Sequence, residues 1–62
     1  MLTALLTKRD TAELLRVSVR FVELQVQRRA LSAVKLGRSI RFRPKDVQEF
    51  VEARRLRAVK PR

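Results

Sequence analysis

Arg20, Phe21, Leu24, Gln27 and Arg28 recur at intervals of three, four and seven residues. That spacing gathers them on one face of a helix. An arginine guanidinium is a fork of donors that fits guanine O6 and N7, and a glutamine carboxamide pairs in the same bidentate way with adenine. Phe21 and Leu24 offer the apolar contact that a thymine methyl accepts. Ser18 opens the same segment, and Gln25 and Glu23 lie on its flank. A second group follows at Lys35, Gly37, Arg38, Ser39 and Arg41. Its cations suit phosphate oxygens or a narrow groove, which fix position more than sequence. Together these residues are the candidate contacts to double-stranded DNA.

Phe21 and Leu24 stand out on an otherwise polar face. They contact base methyls, or a neighbouring copy of the chain, or they cap the core because the helical phase is rotated by some tens of degrees. The residue types alone leave these three readings open.

The elements that position both groups follow from local signals. Thr7 is a good N-cap, and Asp10 three residues later completes a box-like cap. A first helix is expected over about residues 8–15, with Ala12, Leu14 and Leu15 as core candidates. Ser18 caps a second helix over about residues 19–29, and Val17 and Val22 sit at staple positions. Val19, Val22 and Val26 form its inward stripe. Two short helices around a three-residue turn read as a helix-turn-helix.

Beyond Leu31 the period changes to two. Val34 and Leu36, then Ile40 and Phe42, alternate with polar or small residues, which predicts two half-buried strands. Gly37-Arg38 between them makes a β-hairpin, with Gly37 supplying a positive φ. If the four apolar residues face the helices, Lys35, Arg41 and Arg43 face outward. Pro44 suits the first turn of a third helix and Asp46 its dipole. Val47, Phe50 and Val51 carry that helix's apolar stripe, and the stem of Arg54 extends it. Residues 1–57 read as one domain and 58–62 as a basic tail.

Composition narrows the function. The formal net charge is +10 on 62 residues, a field that attracts polyanions. Residues 32–43 contain no acid, whereas a strand edge merely guarded by charge would accept either sign. The chain has no His and no Cys, so it offers no familiar nucleophile–base pair, disulfide or thiolate metal site. Its single Gly excludes a phosphate-cradling Gly-rich loop. No catalytic residue, cofactor, metal or small-molecule substrate is expected. No apolar run reaches the roughly 18 residues of a membrane span, and Met1 to Leu6 is too short for a signal h-region. A cytoplasmic location is expected. Binding to structured RNA or to an anionic membrane surface would account for the charge alone, without using either residue group.

"LLTKRDTAELLRVS", "AVKLGRSIRFRPKDV" and "QEFV" resemble the opening, the wing with the start of the third helix, and the continuation of that helix in the MerR-like excisionase family. The resemblance spans roughly residues 5–51. The chain departs from the family's usual pattern at Arg16, near Arg29-Ala30, where glycines are usual, and at Ser32, where proline is usual. The resemblance implies a small α+β winged helix-turn-helix, with the second helix in the major groove of double-stranded DNA and the wing in the adjacent minor groove. Members of that family include phage excisionases, architectural factors that bind adjacent sites beside other copies of themselves; the short chain and an exposed Phe21 and Leu24 favour that reading, in the cytoplasm and nucleoid of a bacterial host. Such a factor bends the DNA and directs an integrase toward excision. Small transcriptional regulators share the same pattern.

Overall fold

A computed structural model describes residues 4–56. The chain runs α1 (Lys8–Leu15), α2 (Val19–Gln27), β1 (Val34–Leu36), β2 (Ser39–Arg41) and α3 (Pro44–Ala53). Three helices and one antiparallel hairpin make a small α+β winged helix-turn-helix. The proposed tail, with residue 57, lies outside the described residues.

Local chemistry explains each boundary. The capping box at α1 is complete: the Asp10 amide donates to Thr7 Oγ1 at 2.9 Å and the Thr7 amide donates to Asp10 Oδ2 at 3.1 Å. At α2 the Phe21 amide donates to Ser18 Oγ at 3.0 Å. Pro44 occupies the first turn of α3, where its missing N–H costs nothing.

Both helices of the helix-turn-helix end in the same way. The Val17 amide donates to the Ala12 carbonyl and Arg16 to Glu13; the Ala30 amide donates to Gln25 and Arg29 to Val26. This paired pattern is a Schellman motif, which needs one left-handed residue and favours glycine there. The left-handed residues are Arg16 at φ 58° and Arg29 at φ 60°. A side chain in that conformation costs about 1–2 kcal/mol. The motif also ends α2 at Gln27 rather than at residue 29.

The core gathers Ala12, Val22, Leu31, Phe42, Val47 and Phe50. Val17 packs against this cluster, of which Val22 is a member. Phe42 is fully buried. Its backbone exchanges two 2.8 Å hydrogen bonds with Leu6, so the chain ahead of α1 adds a bridge to the end of β2. Neither the bridge nor its partner carries a sequence signal.

The hairpin corrects one expectation. Val34 pairs with Arg41, Lys35 with Ile40 and Leu36 with Ser39. Directly opposed residues share a face. Ala33, Lys35, Ile40 and Phe42 therefore lie on the core side, and Val34, Leu36, Ser39 and Arg41 on the outer side. Leu36 is 52 % exposed, whereas Ala33 and Ile40 pack on the core. The reason is parity. A two-residue turn pairs an even-numbered position with an odd-numbered one, so apolar residues at 34 and 36 cannot share a face with 40 and 42. Only the first central residue of the turn, Gly37 at φ 63°, is left-handed, the sign pattern of a type II′ turn. A Cβ on Gly37 would meet nothing within 4 Å, so backbone conformation alone selects glycine.

Candidate nucleic-acid interface

The buried face of α2 consists of Val22 and Gln25, with Val26 partly covered and Val19 37 % exposed. At 100° per residue the helix is turned by about 60° from the valine stripe. Gln25 is consequently a core residue, 8 % exposed. This corrects its expected place among the contacts: it faces α2's packing partners instead of the surface. Phe21 moves to the flank, 38 % exposed. There it walls a concavity of about 300 Å³ with Val17, Phe50 and Val51, rimmed by Arg54 and Arg55. The Arg54 guanidinium lies 4.0 Å from the centre of the Phe50 ring. Leu24 is half-buried.

The polar residues left in the open along α2 and at its C-cap are Arg20, Gln27 and Arg28, with Ser18 exposed at the start. Glu23 sits among them but is not a free anion. Lys8 Nζ approaches its carboxylate at 3.1 Å and Arg20 at 3.9 Å. The three groups together keep one positive charge, and the Lys8–Glu23 pair ties α2 to the start of α1. Lys8 escaped the sequence reading because nothing in its local spacing links it to a residue fifteen positions away.

The hairpin presents Gly37 and Arg38 at an exposed tip. Ser39 and Arg41 lie on its outer face, half-buried, and Arg41 donates to the Ile40 carbonyl at 2.9 Å. Lys35 is exposed but on the opposite face, beside Ile40. Arg43 is exposed, as expected, and also grips Asp46 through two bonds of 2.7 and 2.9 Å. That fork holds the nearly buried Asp46 carboxyl below the ordinary carboxylate range despite the opposing effect of burial. Hydrogen bonds from the Thr7 amide and hydroxyl do the same for Asp10.

Between α2 and the hairpin runs a notch. One part, about 250 Å³, is walled by Lys8, Glu23 and Gln27; the other, about 420 Å³, by Arg29, Ser32, Ala33 and Lys35. Val26 and Ile40 contribute to both. The two parts adjoin at Val26 and Ile40, and Gln27 is the open α2 residue that borders them. Among the described residues no cluster of three or more potential metal ligands occurs, and no helix is long and apolar enough to cross a membrane.

A helix-turn-helix with an exposed polar second helix and a basic hairpin beside it defines the winged DNA-binding class. The chain belongs to the helix-turn-helix domain family, which it matches over residues 5–55. No curated protein and no solved structure matches it. Membership makes DNA the partner and sequence-specific binding the activity, that of a regulatory or architectural protein.

Proposed function

We propose that the domain is an architectural DNA-binding factor of excisionase type. In this reading α2 enters the major groove, where Arg20, Gln27 and Arg28 meet base edges, and Ser18 meets a phosphate at the helix start. The hairpin tip at Gly37 and Arg38, with Ser39 and Arg41, follows the adjacent minor groove. Copies occupy neighbouring sites, the duplex bends, and an integrase is biased toward excision in the cytoplasm of a bacterial host. The observation that carries the reading is the shared notch. Helix and hairpin border adjoining concavities that share Val26 and Ile40, with Gln27 on the helix side, which supports their use together on one duplex.

A circular-permutation gel assay on a fragment carrying adjacent sites tests it. Position-dependent mobility with cooperative occupancy is expected. Straight DNA with single, uncoupled occupancy would reduce the protein to a plain regulator of the same fold.

A further inference from the structure

Arg29 closes α2 in a left-handed conformation that favours glycine, at φ 60°. Helix-end electrostatics do not require a cation there, because Arg28 already supplies one at the C-cap. Arg29 is exposed and makes no ion pair with any described residue. It walls the 420 Å³ part of the notch. Lys35 reaches the same part from β1, also unpaired, because the hairpin's parity turns it toward the helices instead of away from them. Ser32 adds a hydroxyl donor, and no carboxylate lines this part of the notch.

The geometry points to a phosphate-binding site between Arg29 and Lys35 that clamps the sugar–phosphate strand of duplex DNA. This rests on the reading given above. With α2 in the major groove and the hairpin tip in the neighbouring minor groove, the strand dividing those grooves must cross the notch. Two cations on separate elements then hold it from either side. The site reads no bases, so it fixes the depth and register of α2 for every sequence alike.

The full chain, with Arg29→Gly, Lys35→Gln and Arg16→Gly, is titrated with a random-sequence duplex and with its footprinted site across a range of salt concentrations. Thermal melts accompany each titration. Arg16→Gly relieves the same backbone strain and removes the same charge outside the notch. Arg29→Gly is expected to melt a few degrees higher yet bind both duplexes about eightfold more weakly near 0.1 M salt. Its log–log salt slope should be shallower by about 0.9, the signature of one lost phosphate. Lys35→Gln should weaken binding and flatten the slope similarly without the gain in melting temperature. Arg16→Gly should share the gain and bind as wild type. Unchanged affinity and slope in Arg29→Gly and Lys35→Gln would overturn the site while leaving DNA binding intact. An equal loss in Arg16→Gly would reduce the effect to net charge and overturn it too. A wild-type chain that binds neither duplex would remove the DNA-binding reading itself.

Discussion

Lys35 stands directly opposite Ile40 in the hairpin, so a cation and a core-packed aliphatic share one face. Leu36, the next residue, is left pointing away from the core. Leu36→Thr should therefore change stability by no more than about 0.5 kcal/mol. Urea denaturation checks this. A loss of more than 2 kcal/mol would mean that Leu36 faces the helices and the register is wrong.

Phe42 is the counterpart. It is fully buried and both its backbone groups are bonded to Leu6. At roughly 0.05–0.15 kcal/mol per residue the domain's whole stability is about 3–9 kcal/mol. Phe42→Ala removes about 3–5 kcal/mol. By circular dichroism the melting temperature should fall by roughly 12–40 °C. A cooperative melt close to that of the wild type would contradict the packing described.

The Arg43–Asp46 fork sets a pH dependence. Asp46 has its carboxyl pKa lowered in the folded state, below the ordinary value of 3.8. A depressed acid stabilises the fold above its unfolded pKa and loses that contribution as the pH falls through the folded one. Asp46→Asn should lower the melting temperature at pH 7, and the difference from wild type should shrink below about pH 4. A difference that persists unchanged at pH 2 would mean the charge on Asp46 is irrelevant.

Sequence signals of short range were legible. Thr7 with Asp10, Ser18 and Pro44 mark where helices start because each satisfies groups within three residues of itself. Gly37 marks the hairpin for the same reason. Signals that depend on two segments at once were not. The faces of β1 and β2 hinge on turn parity, which apolar alternation within each strand does not carry. The phase of α2 hinges on burying the polar Gln25 in preference to Val19, a choice made by the elements packed around it. Arg43 faces outward as its alternation suggests, but its fork onto Asp46 forms only when α3 starts beside it. Arg29 and Lys35 acquire a common surroundings only when the hairpin closes beside α2.

Arg20 and Arg38 should separate by the kind of loss they cause. Arg20→Ala should cost about 1–3 kcal/mol on the preferred duplex and relax preference at one base position, provided that side chain reads a base. Arg38→Ala should weaken all sequences alike. Binding to a panel of single-base site variants distinguishes the two. Equal affinity after Arg38→Ala would remove the hairpin tip from the interface.

The central claim is sequence-specific binding of duplex DNA through α2 and the hairpin. Its most direct test begins with footprinting on DNA flanking the coding region. The protected duplex and a scrambled duplex of equal length are then compared by fluorescence anisotropy at matched salt. About five phosphate contacts predict a log–log salt slope of roughly −4 to −5. The protected site should bind on the order of 10³ tighter than the scrambled one. Equal affinity for both duplexes, or displacement of either by structured RNA at lower concentration, would contradict it.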